Sequence, residues 1–287
     1  MQFSSAPPKY NEAVTNQYNS NEVNLNQITI EDRFRTIVQK YEISRLFSDK
    51  LQILKNFKVV FVFDDSGSMN TVLQDSPLNK SNSLIKATRW DELQYFANIS
   101  IEIAALFSPT NGCDVYFLNR YPSVVKNITS ADQLKNNFTP PPNGYTPLTQ
   151  TLQKVLNDNA NTRDERKLLV IICTDGEPTD TNGKTNIQEF KKCLLSRSAN
   201  IFTTIVACTD DDQSVAYLNN FDRTMKNLDV VDDYRSEKNE VLKARGHNFS
   251  FTFGDYVVKS LIGSIDPELD NLDEKYSKRI CGSCLIS

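Results

Sequence analysis

The chain has 287 residues, with 32 Lys plus Arg against 36 Asp plus Glu, a formal net charge of −4 and a single histidine. So mild a charge argues against a nucleic-acid binder. A hydrophobic content of 39% with 24% charged residues excludes a fibrous or wholly disordered chain and suffices for one sizeable core.

The longest apolar stretches, Val59 to Phe63 and Leu168 to Cys173, fall far short of the roughly 18 residues needed to cross a bilayer, so no transmembrane helix is expected. The opening MQFSSAPPKYNEAV has neither a basic region nor an apolar one of the secretory kind, which predicts a cytosolic chain. Six cysteines lie at 113, 173, 193, 208, 281 and 284, two of them (Cys173 and Cys208) inside apolar runs, a distribution unlike a disulfide framework. The sequons at Asn98, Asn127, Asn137 and Asn248 carry no meaning without export.

Residues 1–27 are rich in Asn, Gln and Ser and read as a flexible tail. From Ile28 the residues Phe34, Ile37, Val38 and Tyr41, then Ile43, Leu46, Phe47, Leu51 and Leu54, recur at spacings of three and four, predicting a helical extension over 28–56. Phe57 to Phe63 is a β-branched and aromatic run of the kind found in a strand buried on both faces. Its character returns at Cys113 to Leu118, Leu168 to Cys173 and Ile201 to Cys208. Helical patterns fill the intervals at Trp90 to Phe107, Pro147 to Leu156, Ile187 to Leu195 and Ser214 to Met225. This alternation predicts an α/β domain, a doubly wound and mostly parallel sheet covered by helices on both faces, with ligands at the carboxyl ends of the strands. A charged helix around Tyr234 to Arg245, the alternating run Phe249 to Phe253 and a helix over Asp255 to Ile262 complete a domain spanning 57–270, followed by a flexible tail over 271–287.

The first strand runs directly into Asp64-Asp65-Ser66-Gly67-Ser68-Met69, and the run Leu168 to Cys173 into Thr174-Asp175-Gly176. Between them a Pro-rich loop, 140–147, delivers Thr146 just before a helix. Three loops thus offer only oxygen donors, which suits a hard cation of the Mg²⁺ type, with Mn²⁺ or Ca²⁺ as further candidates, and poorly suits zinc or copper. The bland alternative is an N-capping turn without metal.

Asp64, Ser66 and Ser68, then Thr146, then Asp175 resemble the metal-ion-dependent adhesion site of von Willebrand factor A (VWA) domains, of the form D-x-S-x-S with a distant Thr and a distant Asp. The resemblance covers about Phe57 to Ile265 and implies a Rossmann-like fold, direct metal bonds from the two serines and the threonine, and aspartates that bind directly or through water. It also implies an open position for a carboxylate of a protein partner. Tyr145 stands where a Gly often precedes the Thr, and a polar insertion over about Asn70 to Thr88 is placed to form a flap beside the ion. A Mg²⁺-dependent phosphohydrolase of the haloacid-dehalogenase type would want Asp at Ser66, and a hydrolase elbow lacks its G-x-S-x-G, so no catalytic residue is assigned. A purely structural metal site is the other alternative. His247 reads as a surface residue, Lys191-Lys192 as a polar helix face, and Asp210 to Asp212 and Asp232-Asp233 as solvated ends of elements.

The last four residues, Cys284-Leu285-Ile286-Ser287, fit a C-a-a-X prenylation signal, with Cys281 as a palmitoylation candidate and Lys275, Lys278 and Arg279 as a basic patch. One lipid chain anchors weakly, so two signals together predict attachment to the cytosolic face of a membrane. Near the start Pro7-Pro8-x-Tyr10 is a P-P-x-Y pattern of the kind read by WW-domain proteins. The sequence therefore predicts a lipid-anchored, metal-dependent protein-binding adaptor and not an enzyme.

Overall fold

The computed structural model describes residues 29–79, 86–108, 110–160 and 164–274. The P-P-x-Y residues Pro7, Pro8 and Tyr10, the basic patch, Cys281 and Cys284 lie outside these residues. Six strands, β1 (Phe57–Phe63), β2 (Cys113–Phe117), β3 (Val124–Ile128), β4 (Lys167–Thr174), β5 (Ile201–Ala207) and β6 (Leu228–Val231), form one sheet in the order β3-β2-β1-β4-β5-β6. Every pairing is parallel except that of β2 with β3.

The helices are, in order, α1 (Ile30–Lys40), α2 (Arg45–Ser48), α3 (Arg89–Phe107), α4 (Lys135–Phe138), α5 (Leu148–Asn159), α6 (Ile187–Leu195), α7 (Asp212–Val215), α8 (Leu218–Thr224), α9 (Tyr234–Arg245), α10 (Phe253–Ile262) and α11 (Pro267–Asp270). Alternate residues of β1 feed opposite layers, as strand geometry requires. Phe57, Val59, Phe61 and Phe63 pack with α1, α2, α3, α9 and α10, while Val60 and Val62 pack with α5, α6 and α8. Each such side chain, taken fully out of water, contributes about 1.5–3 kcal/mol. The hydrophobic run needed no polar face because both faces are covered.

Several expectations change in three dimensions. The run Phe249 to Phe253 forms no strand: Phe251 inserts between Phe47 and Tyr234, with ring centroids 5.8 and 6.3 Å away, and Phe253 opens α10 behind a Thr252–Asp255 capping box. The expected helix over Ser214 to Met225 is two pieces, α7 and α8. Strands β3 and β6 were not anticipated, since β3 is an edge strand with exposed Lys126 and Asn127, and β6 is only 4 residues long. Asp233 is not solvated: it is 3% exposed, caps α9 through the Arg235 backbone N–H and pairs with the Arg235 guanidinium at 2.8 Å.

Residues 29–56 pack on the same core as the sheet. Thr29 and Asp32 form a capping box that starts α1, and Ile37, Phe47, Leu51 and Leu54 are buried. The Ser44 N–H donates to the Asp255 carboxylate at 2.7 Å, and Lys50 pairs with Asp266 at 2.7 Å, so the residues flanking α2 are tied to the start of α10 and to the cap of α11. Phe47→Ala is expected to cost about 3–5 kcal/mol, read as a lowered urea midpoint at constant slope. A change below ~1 kcal/mol would mean that α2 is a detachable appendage.

Candidate metal centre

In-phase pairing of β1 with β4, Phe63 opposite Cys173, makes the two strands stop together. The Asp64 N–H extends the ladder to the Cys173 carbonyl at 2.9 Å, so Asp64 and Asp175 emerge side by side. Asp64 is fully buried and Asp175 is 1% exposed. The Ser66 N–H donates to Asp64 Oδ1 at 2.9 Å, and the Thr174 hydroxyl donates to Asp64 Oδ2 at 2.6 Å. Ser66 and Ser68 hydroxyls stand 3.1 Å apart, and Ser68 donates on to Asp175 Oδ1 at 2.7 Å. Four of the five expected side chains therefore form one hydrogen-bonded string. Although Ser66 precedes a single 3₁₀ turn, Gly67–Asn70, its hydroxyl makes no capping bond to that turn.

Thr146 reaches the same edge on its own loop, which the Gly67 N–H binds through the Gly144 carbonyl at 3.1 Å, and the Asn143 N–H through the Asp65 carbonyl at 2.9 Å. Gly144 has φ +101° and packs on Asn119, whose carboxamide oxygen would lie 2.6 Å from a Cβ there, so only glycine fits the turn. Thr146 is 7% exposed, and its backbone is pinned by Thr179, whose hydroxyl accepts from the Thr146 N–H at 3.0 Å.

The electrostatics divide three aspartates between two guanidinium groups. Asp65 does not face the string: its Oδ1 accepts the Leu118 and Asn119 N–H groups at 3.0 and 2.8 Å, and its Oδ2 meets Arg120 at 3.2 Å. Arg120 in turn lies over the Trp90 ring at 4.6 Å. Asp175 Oδ2 accepts from Arg89 Nη1 at 2.8 Å. Among the described residues Asp64 has no ion pair, and burial, with Asp175 close by, pushes its carboxyl up to about 7. A fully buried anion without a counter-charge, ringed by hydroxyl oxygens, suits a hard divalent cation.

Sequence reasoning missed Arg89, Thr174 as the hydroxyl that holds Asp64, and the Asp65–Arg120–Trp90 stack. Only Arg89 had a local signal, because the Thr88–Asp91 capping box sets it at the first turn of α3. Its partner, 86 positions away, had none. The insertion closes on itself at its base: Leu73 N–H bonds the Ala87 carbonyl and Arg89 N–H the Thr71 carbonyl, both at 2.9 Å, while residues 80–85 lie outside the described ones.

Because the folded Asp64 carboxyl holds its proton up to about 7 and an unfolded one only to about 3.8, the folded state binds more protons in that window and loses stability as pH rises through it. Melting in chelator is expected at a lower temperature at pH 7.5 than at pH 5.5, and the difference is expected to shrink in Asp64→Asn, which cannot ionise.

A family model described as the von Willebrand factor type A domain matches residues 58–238, more than half the chain. Among solved structures, one that is similar is the manganese-loaded TRAP protein of Plasmodium vivax, at 20% identity and a TM-score of 0.35, with 64% of this chain and 72% of that one covered. No curated protein matches. With its alternating core, its mostly parallel six-stranded sheet and that family match, the chain belongs to the von Willebrand factor type A domain family.

Proposed function

We infer that this chain, as a VWA domain, serves as a protein-interaction module of the kind that is often metal-dependent. We propose that this chain binds a protein partner through a divalent cation of the Mg²⁺ type held by Asp64, Ser66, Ser68, Thr146 and Asp175. The observation that carries the reading is the buried Asp64 carboxylate, without an ion pair among the described residues, at the head of the Ser66–Ser68–Asp175 string. When bound, the cation supplies an electrophilic position for a carboxylate oxygen of the partner. The chain's own groups do the rest. Thr174 and the Ser66 N–H orient Asp64, and Arg89 and Ser68 occupy one oxygen each of Asp175, which favours a contact from Asp175 through water.

Around this point the surface is shaped for a partner. Tyr145 is 57% exposed beside Thr146, and Tyr121 is fully exposed. Between Asp65, Tyr121 and Pro140 lies a cleft of about 360 Å³. Aromatic rings at a carboxylate-accepting site provide contact area at low entropic cost.

The tails extend the proposal to the cytosolic face of a membrane, where a prenylated Cys284, assisted by Cys281, anchors the chain, and Pro7, Pro8 and Tyr10 recruit a WW-domain protein. Neighbouring thiols at one end and a P-P-x-Y pattern at the other support that reading. Cys284→Ser is expected to shift the protein from the membrane pellet to the soluble fraction, and an unchanged distribution removes the anchor from the reading.

Pull-downs in Mg²⁺ and in chelator test the central claim: the parent should capture its partner only in Mg²⁺ and Asp64→Ala in neither condition. Capture that ignores both changes would sink it. Calorimetric titration with Mn²⁺ should further show Arg89→Gln binding on the order of tenfold more tightly than the parent, because a fixed positive charge beside the ion is removed.

A further inference from the structure

A second acidic group lies on β6, three strands and thus roughly 14 Å across the sheet from β1. Asp222 at the end of α8, Asp229 in β6 and Asp270 at the end of α11 each direct one carboxylate oxygen into a common space, with these oxygens all within 4.8 Å of one another. Oxygens about 2.4 Å from a shared calcium ion stand up to about 4.8 Å apart when they face each other across it. The spacing therefore allows all three to bind one ion.

A group of acids alone would not single out a site, since exposed carboxylates gather without any ligand. Asp229 is different. It is 2% exposed, and its Oδ2 is a buried atom with no hydrogen-bond partner among the described residues. This oxygen sits against Gly263, where a Cβ would come within 1.9 Å of it, so the glycine keeps open the space that the carboxylate occupies. Gly263, Asp222 and Asp270 line one open cleft of about 340 Å³, which gives an ion access from solvent.

Among the described residues the three acids form no ion pair of their own, and Lys259 acts on them only at a distance. Lys259 is the buried cation nearby, but its ammonium is already bound to Glu237 at 2.6 Å and Asp273 at 3.1 Å. Glu274 adds another negative charge at the cleft, and Arg223 stands at its exposed rim. Burial, against the opposing pull of Lys259 and with repulsion from Asp270 and Asp222, pushes the Asp229 carboxyl well above the ordinary carboxylate range, with Asp222 and Asp270 raised as well.

We propose that Asp222, Asp229 and Asp270 form a second divalent-cation site that takes calcium. Three carboxylates on one ion suit Ca²⁺, which accepts many oxygen ligands in flexible geometry, better than Mg²⁺, which keeps its waters and uses one or two carboxylates. The site joins the edge strand to α8 and α11, so calcium would stabilise the last described segment of the chain.

Calcium titration of the full chain by calorimetry, in the parent and in Asp64→Ala, tests this separately from the metal centre at β1. Asp64→Ala is expected to retain one calcium ion per chain and to melt at a higher temperature in calcium. Adding Asp222→Asn or Asp270→Asn, both at positions reached by solvent, should weaken that binding at least tenfold while leaving the far-ultraviolet circular dichroism unchanged. Absence of calcium binding by Asp64→Ala at millimolar concentration, or binding unaffected by both asparagine variants, would overturn the second site and leave the first untouched. Loss of Mg²⁺-dependent capture in Asp64→Ala with calcium binding intact would support the two sites as independent.

Discussion

The seven-residue register between β1 and β4 is the constraint on which the rest of the molecule depends. Both strands are buried on both faces, so each is held in phase by packing as well as by its ladder. A slip of one residue would send Phe61 and Phe63 into the layer built for Val60 and Val62, and would turn Asp64 away from Asp175. Hydrophobic packing distant from any ligand thereby determines whether two carboxylates meet at the sheet's edge.

That same packing creates an electrostatic demand. Placing Asp64, Asp65 and Asp175 at the close of buried strands removes water from all three, and the fold answers with two guanidinium groups, Arg120 for Asp65 and Arg89 for Asp175. Asp64 is left with hydroxyl and amide donors, which orient an anion but do not neutralise it. The β6 edge repeats the situation with different parts, where Lys259 is committed to Glu237 and Asp273, and Asp229 has an oxygen with no partner among the described residues. In each place, among the described residues, a buried carboxylate lacks a cation of its own. The modest net charge of −4 averages over these local excesses.

The central strands and the layered α/β architecture were legible because a strand buried on both faces has to be apolar throughout, and helices between such strands show a period near 3.6. The pattern Asp64, Ser66, Ser68, Thr146 and Asp175 was legible as well, since the first three are nearly adjacent and the others sit at recognisable strand or helix boundaries. Strand β3 escaped notice because it is a 5-residue edge strand interrupted by exposed Lys126 and Asn127, and the Phe249 to Phe253 alternation misled because its aromatic residues fill a gap between α2 and α9 instead of a sheet face. Asp233 looked solvated for a related reason. Its burial comes from the segments packed around α9, which no local window contains.

By itself the sequence determined which residues are apolar enough to be covered on both faces, where the strands end, and which oxygen donors stand at those ends. Tertiary structure alone decided which charges cancel. Arg89 and Asp175 are 86 positions apart, and Asp270 is tens of positions from Asp222 and Asp229, so these groups meet only through the sheet order and the return of α10 and α11. Helix caps and strand runs are short-range consequences of side-chain shape and hydrogen bonding, so they can be read locally. Coulombic pairing and desolvation depend on distance and burial in space, and neither exists until the chain has folded.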